Sequence, residues 1–319
     1  MLLYSIVVPV YNSAKVLDEL YSRIRDVFEN KIGEEFEIIL VDDSSRDESF
    51  SVMEKLRKED ARIKIIQLSR NYGQHCALLC GMNYAEGDFI ITMDDDLQHP
   101  PEEIPKLIIE ITSHEELDVV IGEYASKKHG IIRNFGTHMS NLVTSYVFGN
   151  DPNLKLTSFR IMRRLVVENL LQLKVSYPRI GHLLLLVSNR IGNVTVEHDK
   201  RLYGKSGYSF KRLVKDFFHN ISNNTAFPLI FLRNVGLFSF GISVVLALYY
   251  MIRYFTVGIS IQGWTTIILL MLFFFGITLL GMGIVGEYLY RVLEETKKIP
   301  NYMIRRCEVE VKEEKKNVK

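Results

Sequence analysis

The N-terminal part of the chain alternates short apolar runs with longer segments of helical periodicity. The apolar runs are rich in Val and Ile and are continuous rather than alternating, as in strands that are covered on both faces. They are Ser5–Val10, Phe36–Val41, Lys64–Leu68, Phe89–Met93 and Asp118–Gly122. The segments with helical periodicity are Ala14–Phe28, Asp47–Lys58, Gln74–Ala85 and Pro101–His114. This order predicts an α/β domain with a doubly wound, mostly parallel sheet.

The C-terminal third contains two uncharged, strongly apolar runs, 234–252 and 264–286. Each has about the 20 residues that a membrane-spanning helix needs, and the alternative is a pair of buried core helices. One basic residue lies between the runs, whereas nine Lys and Arg residues follow the second run. The positive-inside rule then places both the N-terminal domain and the C-terminal tail on the cytoplasmic side of the inner membrane.

Charge and cysteine content exclude several other classes of protein. Lys+Arg 39 against Asp+Glu 38 gives a net charge of +1, so no overall basic field favours nucleic acid as a partner. The three cysteines lack the spacing of a disulfide framework and are expected to be thiols in a reducing compartment. The apolar N-terminus has no basic region before it and is predicted to be a first strand rather than a signal peptide.

Polar residues follow the first, second and fourth predicted strands directly. Because ligands of such sheets gather at the carboxyl ends of the strands, these residues are candidates for a site. Asp94, Asp96 and Gln98 place oxygen atoms at alternate positions, which suits a hard cation such as Mg²⁺ or Mn²⁺. The alternative is a solvated acidic loop before the helix start at Pro100 and Pro101.

Several ordered motifs resemble those of glycosyltransferase family 2, and more narrowly of the polyisoprenyl-phosphate glycosyltransferases. That group includes dolichyl-phosphate mannose synthase and bacterial undecaprenyl-phosphate sugar transferases. The motifs that carry the resemblance are Ile6–Asn12, Val41–Asp47, Arg70–Gln74, Met93–Pro100, Arg201–Ser209, Gly286–Leu289 and Pro300–Tyr302. Each motif alone is weak evidence for this family, but the ordered set of motifs followed by two apolar runs is specific to it.

The resemblance implies a domain order. A GT-A, Rossmann-like glycosyltransferase domain at 1–208 is followed by an interfacial amphipathic segment at 209–228. A two-helix transmembrane anchor comes next, at 229–287, with spans near 234–252 and 264–286. The chain ends in a basic cytoplasmic tail at 288–319. It also implies inverting transfer of one sugar from a nucleotide sugar, here expected to be a UDP-sugar, to a polyprenyl phosphate, here expected to be undecaprenyl phosphate. A homo-oligomer is a further expectation from the resemblance.

The resemblance also implies roles for individual residues. The expected donor-binding residues are Pro9, Tyr11, Asn12, Asp42, Asp43, Arg70, Asp94 and Asp95. The expected ligands of Mg²⁺ or Mn²⁺ are Asp94, Asp96 and Gln98. The expected catalytic residues are Asp96, Arg160 and Arg201. The residues expected at the acceptor phosphate are Arg133, Arg201, Lys205 and Ser206.

One position departs from the family pattern. Much of the family has an aspartate, a candidate base, before the Phe159-Arg160 pair, and this chain has Ser158 there. A polyprenyl monophosphate has a second pKa of about 6 by analogy with protein phosphate esters, so near neutral pH it is already a nucleophilic dianion. Such an acceptor needs positioning and charge compensation more than proton removal.

Two apolar stripes at helical spacing are candidates for contact with lipid. The first comprises Phe210, Leu213, Val214, Phe217, Phe218 and Ile221. The second comprises Phe135, Met139, Leu142, Val143, Tyr146 and Val147, for which a core-facing helix is an equal alternative. A transferase with another lipid acceptor, such as a lipid-linked glycan or diacylglycerol, and a catalytically silent membrane scaffold remain alternative functions.

Overall fold

The computed structural model describes residues 3–124, 154–173, 175, 178–197, 263–296 and 300–309, with single positions between 234 and 256. The chain divides into two units. The first comprises Met1–Ser206 together with Ile299–Lys319, and the second comprises Gly207–Lys298. The strands described below belong to the first unit, and the longest described helix belongs to the second.

Eight strands form one sheet in the described part of the first unit. They are β1 (Leu3–Val10), β2 (Glu35–Asp42), β3 (Ile63–Leu68), β4 (Phe89–Thr92), β5 (Val119–Tyr124), β6 (Arg160–Arg163), β7 (Ile191–Val196) and β8 (Ile304–Glu308). The first five coincide with the five apolar runs to within two residues, so these predictions are confirmed.

The described helices follow most of the strands. They are α1 (Leu17–Asp26), α2 (Ser49–Glu59), α3 (Gln74–Asn83), α4 (Ile104–Ser113), α5 (Arg164–Gln172), α6 (Ile180–Val187) and α7 (Trp264–Thr296). The first four confirm the predicted helices, with shorter ends. A π-helical turn extends α1 to Ile32 and ends at Gly33, whose φ of 73° favours glycine. A 3₁₀ turn begins at Pro101 before α4, where the missing N–H of proline costs nothing.

The strand order across the sheet is β7-β5-β6-β4-β1-β2-β3-β8. The four central strands β4, β1, β2 and β3 run parallel, as the sequence predicts. Strand β6 is antiparallel to both β4 and β5, while β5 and β7 are parallel to each other. The sheet is therefore mixed, as in GT-A-like α/β folds.

Each face of the sheet is covered by helices. The side chains of Ile6 and Val8 pack on one face against α1, α2 and α4, whereas Val7 packs on the other against α3, α5 and α6. This two-sided burial explains why the strands are apolar at consecutive positions. Gly81 lets α3 approach the sheet closely, because a Cβ atom there would lie 2.4 Å from a methyl group of Val7.

Strand β8 is a feature that the sequence pattern did not indicate. Residues 304–308 lie in the segment expected to be a basic tail, but they pair antiparallel with β3, where Ile66 lies opposite Cys307. The side chains of this segment are mostly exposed at the edge of the sheet, so its sequence lacks the apolar pattern that predicts a buried strand. The C-terminal segment thus contributes a strand to the sheet of the first unit.

The second unit contains α7, which includes the second apolar run, 264–286. In the part of the chain that the structure describes, no helix combines the length and the apolar character required to cross a membrane. The two predicted spans therefore stay predictions. The interfacial segment 209–228 and the two apolar stripes lie outside the described residues.

Candidate active site

A cleft of about 250 Å³ opens at the carboxyl ends of the central strands. Ten residues from the ends of β1, β2 and β4 and from the start of α3 line it. They are Pro9, Val10, Tyr11, Asp43, Asn71, Gly73, Gln74, Asp94, Asp95 and Asp96. The register explains this convergence, because Val10 at the end of β1 lies beside Asp42 at the end of β2. The prediction that the polar clusters share one edge is confirmed.

The loops at this edge hold unusual backbone conformations. Asn12, Ser44 and Leu97 have φ values of 55°, 60° and 59°, which side-chain-bearing residues rarely adopt. Each of these residues follows a strand that leads to the cleft. Such strain persists only where surrounding contacts over-determine it, and it is common in ligand-binding loops.

Asp43 joins the end of β2 to the loop after β3. Its two carboxylate oxygens accept the backbone N–H groups of Tyr72 and Gly73, at 2.7 and 2.8 Å. Burial raises the pKa of Asp43, although these hydrogen bonds oppose the shift. Asp42 is fully buried, and its oxygens accept Ser45 N–H and the Gln67 amide. Both residues were predicted to bind the donor nucleotide. Asp43 lines the cleft, whereas Asp42 holds the loop that follows β2 through its hydrogen bond with Ser45.

Asp95 fastens the loop after β4 to the loop after β1. Its Oδ2 accepts Tyr11 N–H at 3.0 Å and the Ser13 hydroxyl at 2.5 Å. Burial raises the pKa of Asp95 to about 6, with smaller contributions from Asp94 and Asp96. This carboxylate therefore sets the spacing between the backbone at Tyr11 and the acidic loop. Asn12 has a comparable role, since its Oδ1 accepts Arg46 N–H at 2.8 Å.

Asp94 receives hydrogen bonds on both oxygens. Gln74 Nε2 donates to Oδ1, and Ser158 Oγ donates to Oδ2 at 2.8 Å. Asp96 Oδ1 accepts the backbone N–H of Gln98 at 3.1 Å. Ser158 therefore contacts the acidic motif directly, although it lies more than 60 residues away in the chain.

His99 supports the acidic loop from the interior. Its ring is buried and lies between the rings of Tyr124 and Phe159, with centroid distances of 5.6 and 5.3 Å. Its Nδ1 accepts the backbone N–H of Asp94 at 3.2 Å, which leaves the proton of a neutral ring on Nε2. The stacked rings thus fix the point at which β4 ends and the acidic loop begins.

Arg160 is a buried cation beside the acidic motif. Its side chain is 2% exposed, and among the residues that the structure describes its Nε and Nη1 have no hydrogen-bond partner. Burial lowers the pKa of Arg160 to about 10, while Asp94 opposes the shift. Burial, together with Arg160, also lowers the pKa of His75 to about 4, and among the described residues the Nδ1 of His75 has no hydrogen-bond partner. The two buried arginine donors without hydrogen bonds are suited to receiving an anion.

Asp94 and Asp96 fit a divalent ion that shares its coordination with substrate. Both are half-buried and line the cleft. Among the described residues, no group of three or more His, Cys, Asp or Glu side chains is arranged to hold a metal ion alone. Mg²⁺ sites often have one or two carboxylates and are completed by phosphate oxygens and water. Gln98, the third predicted ligand, does not line the cleft.

The structure brings together part of the predicted site. Pro9, Tyr11, Asp43 and Asp94–Asp96 line the cleft, whereas Arg70 is exposed and lies over the Tyr72 ring. The predicted acceptor and catalytic residues Arg133, Arg201, Lys205 and Ser206 lie outside the described residues.

Four polar residues of the site carried no assigned role in the sequence. They are Asn71, Gln74, His75 and His99. Asn71, Gln74 and His99 stand inside motifs that carry the family resemblance, so their place in those motifs was the available signal. His75 had none, since a single histidine in an apolar helix is typical of a packed core.

Comparisons with known proteins show which family the chain resembles. Residues 5–171 match the profile described as glycosyl transferase family 2. The chain is 33% identical over 309 residues to an uncharacterised glycosyltransferase, YkcC, of Bacillus subtilis, covering 95% of this chain and 93% of that protein. It is also 33% identical over 317 residues to undecaprenyl-phosphate 4-deoxy-4-formamido-L-arabinose transferase of Proteus mirabilis, covering 98% and 96%.

A solved structure supports the fold. Glucosyl-3-phosphoglycerate synthase of Mycobacterium tuberculosis, in complex with Mn²⁺, UDP-glucose and phosphoglyceric acid, superposes with a TM-score of 0.51. The superposition covers 70% of this chain and 78% of that one, at 15% sequence identity. At this identity the likeness concerns the fold alone. The match of the profile and the near-complete coverage of the relatives establish that the chain belongs to glycosyl transferase family 2.

Proposed function

We propose that the protein transfers one sugar, with inversion, from a UDP-sugar to a polyprenyl phosphate, for which undecaprenyl phosphate is the first choice. The observation that carries the proposal is the convergence of Asp94, Asp96 and Asp43 at one cleft. The chain also aligns over 98% of its length with an undecaprenyl-phosphate sugar transferase.

The donor lies along the edge formed by β1 and β2. The exposed ring of Tyr11 offers a face for a nucleobase, and a carboxylate such as that of Asp43 accepts an imide N–H of uracil. The backbone N–H groups of Tyr72 and Gly73 hold Asp43 in place for that contact. Asp94 and Asp96 line the same cleft and would hold a divalent cation beside the donor diphosphate.

The reaction requires no proton transfer from the acceptor. A phosphate oxygen of the dianionic lipid forms a bond to the anomeric carbon, the bond between that carbon and the UDP oxygen breaks, and UDP leaves. When bound, the divalent ion supplies a Lewis acid for the departing diphosphate. Arg160 compensates negative charge, since the Nε and Nη1 of its buried guanidinium have no hydrogen-bond partner in the described part of the chain.

The proposed lipid acceptor requires that the protein act at the surface of the bilayer. A long polyprenyl chain presents its phosphate at headgroup level, so the catalytic domain must reach the membrane surface. The two predicted spans and the stripe beginning at Phe210 would hold it on the cytoplasmic face of the inner membrane. Arg133, Arg201, Lys205 and Ser206 are the further groups proposed to bind the acceptor phosphate.

A transfer assay tests the proposal. Full-length protein in detergent micelles is incubated with Mg²⁺ or Mn²⁺, a panel of labelled nucleotide sugars and undecaprenyl phosphate. We expect one donor to yield a labelled lipid whose mass equals the lipid phosphate plus one sugar residue. Asp96→Asn should lose most of this product, and the exposed Asp18→Asn should retain it.

Two results would contradict the proposal. Product on a lipid-linked glycan or diacylglycerol, but none on undecaprenyl phosphate, would assign another acceptor. A folded protein that binds UDP but transfers no sugar to any of these lipids would favour the silent scaffold.

A further inference from the structure

The carboxylate of Asp94 is held between two separate elements. Gln74, at the start of α3, donates to Oδ1, and Ser158, two residues before β6, donates to Oδ2. A carboxylate oxygen has two lone pairs, so a hydrogen bond to that oxygen is compatible with coordination of an ion by the same oxygen. The two hydrogen bonds restrict rotation of the Asp94 carboxylate and so set the direction in which its oxygens face.

Ser158 is itself held firmly. The hydroxyl of Thr92, a fully buried residue of β4, donates to the Ser158 carbonyl oxygen at 2.6 Å. The next residue, Phe159, is fully buried against His99. The position of the Ser158 hydroxyl therefore follows from the packing of the sheet.

We infer that Ser158 is a positioning residue that orients Asp94 for the divalent ion, and that it does not act on the acceptor. In the structure its hydroxyl proton is directed to Asp94, which is the opposite of a group that removes a proton. Partners that hydrogen-bond to metal ligands typically change metal affinity by about 10- to 100-fold when they are removed.

The inference rests on the proposed role of Asp94 as a metal ligand. Mn²⁺ binding in the presence of UDP, without any lipid acceptor, therefore tests it independently of sugar transfer. The free Mn²⁺ signal in electron paramagnetic resonance gives the dissociation constant for the full-length protein in detergent.

The chain contains a matched control. Ser188 Oγ donates to Asp118 Oδ2 at 2.8 Å, the same pair of groups at the same distance, and neither residue lines the cleft. Ser158→Ala should raise the Kd for Mn²⁺ about tenfold, and Ser188→Ala should leave it unchanged. Ser158→Thr, which keeps the hydroxyl, should restore most of the affinity. The turnover lost in Ser158→Ala should shrink as the Mn²⁺ concentration is raised.

Two outcomes would overturn the inference. An unchanged Kd for Mn²⁺ in Ser158→Ala, with turnover reduced equally at all Mn²⁺ concentrations, would show that Ser158 acts on substrate. An unchanged Kd for Mn²⁺ in Asp94→Asn would show that Asp94 is not a metal ligand, so Ser158 could not act through it. This result would hold whether or not the protein transfers sugar to the lipid.

Discussion

The backbone N–H of Ser69 donates to the carbonyl oxygen of Met303 at 2.8 Å. This hydrogen bond joins the residue that follows β3 to the segment that precedes β8. Three residues later the same loop supplies the N–H groups of Tyr72 and Gly73 that hold Asp43. The C-terminal segment thus supports the loop that shapes the proposed donor site.

The first prediction concerns Tyr302, which packs against the cluster between the sheet and α3. Tyr302→Ala should reduce the free energy of unfolding of the catalytic domain by about 1–3 kcal/mol and weaken UDP binding, because the loop at 69–73 loses its support. Met303→Ala is the matched control, since its side chain is 52% exposed and only its backbone is used. Calorimetric titration with UDP and chemical denaturation measure both effects. Equal UDP affinity in the two variants would contradict a role for the segment before β8 in shaping the site.

The second prediction compares two arginines on β6. In the described part of the chain, the Nε and Nη1 of Arg160 have no hydrogen-bond partner, whereas Arg163 donates to the carbonyl oxygens of Leu117 and Ile111. Because buried donors without hydrogen bonds are costly, Arg160→Met should raise the free energy of unfolding or leave it unchanged. Arg163→Met should lower it by about 1–3 kcal/mol, since two carbonyls lose their donors.

The Arg160→Met substitution should lower activity although it does not lower stability. Arg160→Met should reduce turnover at least about 100-fold, the size of effect seen when one donor to a developing charge is removed. Arg160→Lys should recover little, because an ammonium group lacks the planar pair of donors. Thermal denaturation and the transfer assay together test this. An Arg160→Met protein that is both less stable and fully active would refute the assignment.

The third prediction concerns acid stability. Burial, with a smaller contribution from Arg179, lowers the pKa of His182 from 6.5 to about 4. The unfolded chain therefore binds a proton between pH 6.5 and pH 4 that the folded chain does not, so stability falls as pH decreases through this range. His182→Gln should reduce this acid-induced decrease in the free energy of unfolding by roughly 2 kcal/mol. Urea denaturation at pH 7 and at pH 4.5 measures the difference, and His114→Gln, at an exposed position, is the control. Identical pH dependence in the unsubstituted protein, His182→Gln and His114→Gln would contradict a neutral, half-buried His182.

The sequence predicts much of this fold because the central strands are buried on both faces. Their continuous apolar runs identify β1 to β5, and the position of polar residues after β1, β2 and β4 identifies the edge of the cleft. Strand β6 is not visible in the same way, since it is only four residues long and has Arg160 and Arg163 at its two ends in place of an apolar run. Strand β8 is missed because an exposed edge strand needs no apolar pattern.

The candidate site is predicted less completely than the fold. Residue types indicate an acidic cation site, but hydrogen bonds between distant segments decide which carboxylates face the cleft. Asp42 and Asp43 are adjacent and chemically identical, yet only Asp43 lines the cleft while Asp42 is enclosed by Ser45 and Gln67. The contact between Ser158 and Asp94 depends on the antiparallel pairing of β6 with β4, which no local pattern encodes.

The last prediction concerns Asp43, which serves the donor site and the loop together. Asp43→Asn replaces one acceptor oxygen with an amide that cannot accept an N–H, so either Tyr72 or Gly73 loses its partner. A buried donor left without a partner costs about 1–3 kcal/mol of stability. UDP affinity should fall by at least about tenfold, because both the loop and the contact to the base are changed.

Asp47→Asn separates these effects. Asp47 accepts N–H groups from Ala14 and Ser49 at the neighbouring loop but does not line the cleft, so its replacement should lower stability with little change in UDP affinity. Denaturation and calorimetric titration with UDP, performed on both variants, give the comparison. If the two variants lose UDP affinity equally, the loss follows from loop stability alone and the direct contact between Asp43 and the donor base is wrong.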